Sequence, residues 1–291
     1  LSLGASANRK ARPGEPLARA LLEQYTLGPG QFSEMDVQEV ARAFTGWFVS
    51  QQELKYVDRE HDPSVKTVLG QSGPFEGTDV IRILLGQPAT ARLVVGKLYR
   101  WFISETSPPP EPLITPLAAE FARNFDVGRL VETMLRSNLF FSPAAYRQKI
   151  KSPAEFALGI IRGLGGTVGT LRLGADLAAL GQDLYAPPTV KGWAGHRYWI
   201  NRFTLLNRAK LAAALLASSG PYEGKLDPAA AARQSGYPTT AAAGQFLCEL
   251  FFQADLAPEV RQAVVETGET GAERLRDVAG LMAALPEFHL G

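Results

Sequence analysis

The sequence predicts an all-α protein: a multi-helix globular bundle with long loops and at most a small two-stranded β excursion near residues 54–70. Most apolar residues recur at the three- and four-residue spacing that is typical of amphipathic helices. No strand–helix alternation occurs that would build a parallel sheet. Hydrophobic residues make up 46% of the 291 residues and the formal net charge is +1, which excludes disorder as the main state.

The first third of the chain predicts two helices and then a break in the helical pattern. Residues 17–27 place their leucines and Tyr25 on one face, and Gly28-Pro29-Gly30 ends that helix. Ser33 is a predicted N-cap, because acidic residues and helically spaced apolar residues follow it. The β-prone runs 54–57 and 66–69 flank a polar turn and predict the small β excursion.

The remaining chain predicts helices throughout, interrupted by one clear linker. The proline-rich residues 107–112 separate an N-terminal helical part, residues 1–106, from a C-terminal helical part, residues 113–291, and we expect the two parts to pack as one body. Ser152-Pro153-Ala154-Glu155 combines an N-cap, a proline in the first turn and a capping-box glutamate, and so marks a helix start.

Seven short blocks spread over nearly the whole chain carry a recognisable pattern. They include Arg-Ala-Phe-Thr-Gly-Trp, Lys-Thr-Val-Leu-Gly and Lys-Ser-Pro-Ala-Glu-Phe. In chain order the blocks are residues 18–28, 36–47, 61–62 with 66–70, 88–92, 149–156, 187–193 with 199–201, and 286–288. Taken together, the chain resembles the bacterial DUF1800 family.

The resemblance implies a predominantly helical, exported bacterial protein, and therefore an extracytoplasmic, periplasmic or envelope-associated location. It implies no particular activity. Genes of this family often lie beside genes of the DUF1501 family, so a DUF1501-type protein is a possible partner. Members carry a helical region before the first block, and this chain begins at Leu1 without a signal peptide, so we expect either a protein partner or a separate N-terminal region. The chain has Gly14-Glu15-Pro16 where the family usually has Asn-Glu-Asn.

Composition excludes several classes of protein and site. No apolar stretch approaches the ~18 residues of a transmembrane helix, so no transmembrane segment is predicted. The near-neutral charge and the absence of a basic stripe argue against nucleic-acid binding. The single cysteine, Cys248, permits neither an internal disulfide nor a cysteine zinc site, and no cofactor is predicted.

His61, Asp62 and Asp58 are the best catalytic candidates. A histidine beside carboxylates in a polar loop could act as a general base, and His61 with Asp62 would be the ligands if any metal were bound. The competing interpretation is a turn that starts at Asp62-Pro63 with a solvated His61. Lys66 could contact an anion but is better explained as an ion-pair partner. Arg42, like Arg19, lies near glutamates on an amphipathic helix, which predicts buried or half-buried arginine–carboxylate links between helices.

A second candidate is a cluster of aromatic and basic residues near position 195. Such a cluster could stack on a sugar or on a peptide partner, or could plug a core between helices. The candidate binding residues are Trp193, His196, Arg197, Tyr198 and Trp199.

Two hypotheses for the function follow from these candidates. In the first, the chain is an exported, non-catalytic binding or scaffold subunit of a larger envelope-associated assembly. In the alternative, it is a metal-assisted hydrolase that acts on an envelope polymer or glycan, with Trp193 and Trp199 shaping the substrate groove.

Overall fold

A computed structural model describes residues 8–50, 53–189, 191–253, 255–265 and 271–291. Within these ranges the chain is mostly helical, with two small antiparallel sheets, as the sequence predicts. The chain divides into two compact units, Leu1–Ala145 and Tyr146–Gly291. The proline-rich residues 107–112 lie inside the first unit and lead into a helix that packs on its predecessor, whereas the sequence analysis places the division of the chain there.

The first unit contains six helices and two hairpins among its described residues. A π-helical segment, Leu21–Thr26, continues the first helix. The elements in chain order are α1 (Glu15–Ala20), α2 (Glu34–Ala43), β1 (Trp47–Ser50), β2 (Glu53–Tyr56), β3 (Lys66–Val68), β4 (Gln71–Gly73), α3 (Gly77–Leu85), α4 (Pro88–Phe102), α5 (Glu111–Phe121) and α6 (Val127–Leu135).

The β excursion consists of two separate hairpins. In the first, Trp47 pairs with Tyr56; in the second, Lys66 pairs with Gly73. The β-prone runs 54–57 and 66–69 therefore do not pair with each other, because each finds a closer partner along the chain. The second hairpin turns through Leu69 and Gly70, both with positive φ.

The first unit buries two apolar clusters. One joins α2 to β3 and α3, and the other joins α4, α5 and α6. Ser33 caps α2 as predicted, with its hydroxyl accepting from the Asp36 amide at 3.1 Å and the Asp36 carboxylate accepting from the Ser33 amide at 2.9 Å. This cap fixes the start of the helix that carries Glu39 and Arg42.

The second unit is helical throughout its described residues. Short 3₁₀ turns at His196–Trp199 and Pro286–His289 precede α9 and follow the last helix. The helices are α7 (Pro153–Gly163), α8 (Thr170–Ala179), α9 (Arg202–Leu216), α10 (Pro228–Gln234), α11 (Thr240–Phe252), α12 (Pro258–Val265) and α13 (Ala272–Ala284).

One apolar core holds the second unit together, with α13 packed along α9 and against α10 and α11. Phe156, Phe251 and Phe288 lie in its centre with ring contacts of 5.1–5.5 Å between centroids. The predicted cap at Ser152 is present: Glu155 Oε2 accepts from the Ser152 amide at 2.8 Å. None of the described helices in either unit combines the length and apolarity needed to cross a bilayer.

Candidate functional site

Arg42 is the centre of a polar cluster in the first unit, which also contains Glu39, Thr45, Asp62, Ser64 and Lys66. The helix α2 supplies the guanidinium, and the loop before β3 supplies Asp62. Arg42 Nε donates to Asp62 Oδ2 at 2.8 Å, and its NH1 group donates to the two carboxylate oxygens of Glu39 at 2.7 and 2.9 Å. These are charge-assisted hydrogen bonds, the strong class. Arg42 therefore forms ion pairs, but within its own helix and with a loop, whereas the sequence predicts a link between helices.

Asp62 is fully occupied by its partners. Partial burial acts to raise its pKa, but hydrogen bonds from Ser64 and Arg42 outweigh burial and hold the pKa of this carboxyl well below its usual range. The Asp62 amide also donates to Thr45 Oγ1 at 2.9 Å. A carboxylate so strongly stabilised in its charged form is a poor general base near neutral pH.

Lys66 is 1% exposed and uses backbone carbonyls rather than a carboxylate as its partners. Its Nζ donates to the carbonyl oxygens of Asp62 at 2.5 Å and Ser64 at 3.0 Å. Burial lowers its pKa, opposed mainly by the negative charge of Asp62. The predicted ion pair of Lys66 is therefore replaced by two hydrogen bonds that hold the turn 62–64 in shape.

His61 does not join a catalytic group with Asp62 and Asp58. Its ring is buried, and Nδ1 lies 3.0 Å from the carbonyl oxygen of Thr45, which can only accept, so Nδ1 carries the proton. Within the described part of the chain, no carboxylate oxygen lies within hydrogen-bond distance of this imidazole. Asp58 is exposed in a 3₁₀ turn.

No group of three or more His, Cys, Asp or Glu side chains is placed to hold a metal ion, again among the described residues. A groove of about 330 Å³ between α3, α4 and α5 is lined by none of the three predicted catalytic residues. The sequence brings these residue types close along the chain, but the fold directs their side chains to different partners.

The aromatic segment near residue 195 is split between the interior and the surface. Trp199 is buried and Trp193 is half-buried, whereas Arg197 and Tyr198 are exposed. The burial of Trp199 agrees with the interpretation as a core plug, and the binding role of the exposed Arg197 and Tyr198 stays a prediction. Val190, within the quoted block 187–193, lies outside the described residues.

His196 has an unusual backbone and an unused ring nitrogen. Its φ is +50°, a left-handed conformation that is uncommon outside glycine. Nδ1 accepts from the Arg197 amide at 2.5 Å, while Nε2 is buried without a hydrogen-bond partner. The fold thus holds this loop in one defined conformation before α9.

The structure adds exposed apolar residues that the sequence analysis missed. Asn201 caps α9, accepting from the amides of Phe203 and Thr204 at 2.9 and 3.0 Å, and this cap presents the first turns of α9 to solvent. We call the 184–206 surface the set of exposed residues Leu184, Tyr185, Tyr198, Phe203 and Leu206. In the sequence, this surface could have been predicted from the apolar residues that lie on all sides of the first turns of α9.

The stretch of sequence that forms the 184–206 surface also contains no acidic residue. No Asp or Glu occurs from residue 184 to residue 222, and Lys191, Arg197 and Arg202 lie in the same stretch. Tyr185 is 100% exposed, and Phe203 is 73% exposed. Basic residues beside exposed aromatic rings are typical of sites that bind an acidic partner.

The sequence profile of the family described as "Protein of unknown function (DUF1800)" matches residues 2–290. The chain belongs to the DUF1800 family. Comparison with curated proteins and with solved structures found no match.

The blocks that carry the DUF1800 resemblance meet in pairs within each unit. Residues 36–47 and 61–70 form the Arg42 cluster described above. In the second unit, residues 149–156 meet residues 286–288: Lys151 Nζ donates to the Phe288 carbonyl at 2.9 Å, and the rings of Phe156 and Phe288 are in contact. Blocks far apart in the DUF1800 sequence therefore lie together in space.

Proposed function

We propose that the chain is an exported, non-catalytic binding or scaffold subunit of an envelope-associated assembly. The single observation that supports this function best is the 184–206 surface. It exposes large aromatic and aliphatic side chains at the start of α9 and in the segments before it, where burial against a partner would remove apolar area from water at about 25 cal/mol per Å².

The Arg42 cluster supports the non-catalytic part of the proposal. Its carboxylates and cations are committed to one another, and its histidine is bonded to a backbone carbonyl. Such a network fixes the chain between α2 and β3. Metal-assisted hydrolysis, the alternative hypothesis, would require His61, Asp58 and Asp62 to converge on one metal ion, and among the described residues no such group of three is placed to hold one.

The charge of the 184–206 surface indicates the chemistry of the partner. Since Arg197 and Arg202 lie in a stretch of sequence without acidic residues, the proposed partner is a protein whose contact face is acidic and has room for aromatic side chains. A DUF1501-type protein is the first partner to test, because the family resemblance suggests it.

The experiment compares two phenylalanines that are exposed to nearly the same degree. Phe203 lies on the 184–206 surface and is 73% exposed, whereas Phe141 lies in the first unit and is 76% exposed. The full chain, Phe203→Ser and Phe141→Ser are each purified from envelope preparations, and the co-purifying chains are identified and quantified. We expect one stoichiometric partner with the wild-type chain and with Phe141→Ser, and its loss with Phe203→Ser.

The salt dependence provides a second readout. Binding of an acidic partner should weaken as salt screens the charges of Arg197 and Arg202. Equal retention of the partner by both serine variants would contradict the proposal, as would binding of the wild-type chain to anionic lipid vesicles in place of any protein. Fractionation of cells with an antibody to the chain tests the envelope location.

A further inference from the structure

A second polar cluster lies where the start and the end of the second unit meet. Residue 150 bridges to residue 290, the Lys151 amide donates to the His289 carbonyl at 2.8 Å, and the Gly291 amide donates to the Lys149 carbonyl at 2.8 Å. Behind this short pairing lie the side chains of Lys151, Arg208 and His289, which we call the cationic cluster.

Arg208 is completely buried without a carboxylate. Its NH2 group donates to the Lys151 carbonyl at 2.7 Å, and its NH1 group lies 3.4 Å from Nδ1 of His289, near the limit of a hydrogen bond. The guanidinium carbon lies 5.3 Å from the centroid of the Phe156 ring. The Nε atom is buried and has no hydrogen-bond partner. A buried N–H left unpaired costs free energy that a fitting acceptor would recover.

Lys151, like Arg208, has no carboxylate at ion-pair distance among the described residues. Its Nζ donates to the Phe288 carbonyl at 2.9 Å and lies 4.3 Å from the centroid of the Phe288 ring. An ammonium has three donors, and only this one hydrogen bond is made within the described chain. Burial, followed by the positive charge of Arg147, lowers the pKa of Lys151 to about 8. Burial and the charge of Arg208 lower the pKa of His289 to about 4, so His289 is neutral at pH 7.

Two carboxylates near the cationic cluster, Glu155 and Asp255, are engaged by other cations, whereas Oε2 of Glu287, the residue before Phe288, is buried without a hydrogen-bond partner. Glu155 accepts from Lys149 Nζ at 2.6 Å and from the Ser152 amide at 2.8 Å. Asp255 lies 3.8 Å from Arg147. Across the described residues, no carboxylate oxygen lies within 4 Å of Lys151 Nζ or of the Arg208 guanidinium. The cluster therefore has a local excess of positive charge and unused N–H donors in a partly dry environment.

We propose that the cationic cluster binds a small oxyanion, either a carboxylate or a phosphate group, through the ammonium of Lys151 and the Nε–H of Arg208. An anion would supply the acceptor that both groups lack, and its charge would count for more here than in water because the site is largely desolvated. Lys151 keeps partial exposure, and the neighbouring Lys149 and Glu155 side chains are 24% and 41% exposed, so solvent reaches the edge of the cluster. This site is independent of the proposed partner surface.

The test uses the full chain and nuclear magnetic resonance titrations with inorganic phosphate, acetate and chloride at equal ionic strength. We expect phosphate or acetate, but not chloride, to shift the amide signals of Lys151, Phe288 and Leu290 in a saturable way. Saturation by phosphate alone identifies a phosphate group as the ligand, and comparable affinity for acetate identifies a carboxylate. Absence of saturable shifts with both oxyanions would overturn the proposal.

Two variants test whether the anion binds at Lys151. Lys151→Met should weaken binding about tenfold or more, corresponding to loss of one charge-assisted contact. Lys225→Met is the matched control, since Lys225 is a lysine of the same unit paired with Glu223 at 2.8 Å, and its affinity should equal that of the wild-type chain. Equal affinity of Lys151→Met and wild type would refute the assignment.

A titration of the wild-type chain keeps the proposal falsifiable if the variant fails to fold. Sulfate has the same charge at pH 7 and pH 9, so its affinity reports only on the protein. We expect sulfate binding to weaken by up to about tenfold between these pH values, because a lysine with a pKa of about 8 loses most of its proton over this range. Constant affinity would show that the ammonium does not contact the anion.

Discussion

The two polar clusters of this DUF1800 protein surround their buried cations with different kinds of partner. In the first unit, Arg42 is matched by two carboxylates, Glu39 and Asp62, at hydrogen-bond distance. In the second unit, Arg208 is less exposed than Arg42 but has only a backbone carbonyl, a neutral imidazole and an aromatic ring as partners. The first arrangement is complete without a ligand, whereas the second leaves charge and donors unused.

The comparison shows that the residues that look catalytic in the sequence are not the residues whose hydrogen-bond donors lack partners in the structure. His61-Asp62 is conspicuous in the sequence, yet its side chains are bonded to the Thr45 carbonyl and to Arg42 and Ser64. Arg208 lies in an ordinary helical stretch, yet its environment is the more unusual one. The following expectations compare the two clusters directly, in order of decreasing effect.

Removing one charge from the complete cluster should have the largest effect. Asp62→Asn leaves Glu39 as the one carboxylate bonded to Arg42 and removes the main negative charge beside the buried Lys66, and we expect a loss of about 3 kcal/mol in the free energy of unfolding. Urea denaturation measures it. Glu132→Gln is the control, because Glu132 forms an exposed pair with Arg136 and its loss should cost less than about 0.5 kcal/mol. A small effect of Asp62→Asn would show that the cluster is not structural.

The pH dependence should distinguish the two units. Lys151 has its pKa lowered to about 8 in the folded state, from an ordinary value of 10.5. The unfolded chain therefore binds more protons between pH 8 and 10.5, and the second unit should gain stability as pH rises through this window. Allowing for its partial exposure, we expect a gain of about 2 kcal/mol.

The first unit should respond at the acid end instead. Because the pKa of Asp62 is lowered, its stabilising contribution is present above pH 3.8 and is lost as pH falls below that value. Hydrogen exchange followed by mass spectrometry reports on each unit separately. If the stability of both units changed with pH in the same way, the proposed difference between the two clusters would be wrong.

Removing a charge from the incomplete cluster should have the opposite sign. Lys151→Met replaces an unneutralised ammonium with an apolar chain of similar length, and we expect a stability gain of about 1 kcal/mol at pH 7 after loss of the hydrogen bond to Phe288. The gain should disappear near pH 10, where the lysine of the folded chain is already neutral. Destabilisation at pH 7 would mean that Lys151 has a carboxylate-like partner after all.

The 184–206 surface should contribute least to folding. Phe203→Ser removes an exposed ring, and the free energy of unfolding should change by less than about 0.5 kcal/mol. Thermal unfolding compared with that of Phe141→Ser checks this expectation. A large loss of stability would place Phe203 in the core and remove the basis of the proposed binding surface.

Local signals in the sequence were enough to locate several helix starts. Ser33 and Ser152 cap α2 and α7 as predicted, because a capping hydroxyl and its acidic partner three residues on act within one turn. The β-prone runs were also recognised, but their pairing was not, since strand pairing depends on neighbours such as Trp47–Ser50 that resemble a continuing helix in the sequence.

Contacts between residues that are far apart in the chain could not be predicted from local sequence patterns. The Arg42–Asp62 pair spans 20 residues, and the Arg208–His289 contact spans 81. Ion pairs were predicted for both Arg19 and Arg42, as links between helices. Arg19 makes such a link, with Glu34 on the next helix, whereas Arg42 pairs with Glu39 on its own helix and with Asp62 in a loop.

The sequence by itself determined the helical class, the family and the helix caps, because these depend on spacing and on contacts within a turn or two. Only the tertiary structure decided which charges are neutralised, which aromatic rings are buried and where Lys151 meets Phe288. Those outcomes depend on the dielectric environment and on partners that the folded chain brings from distant positions.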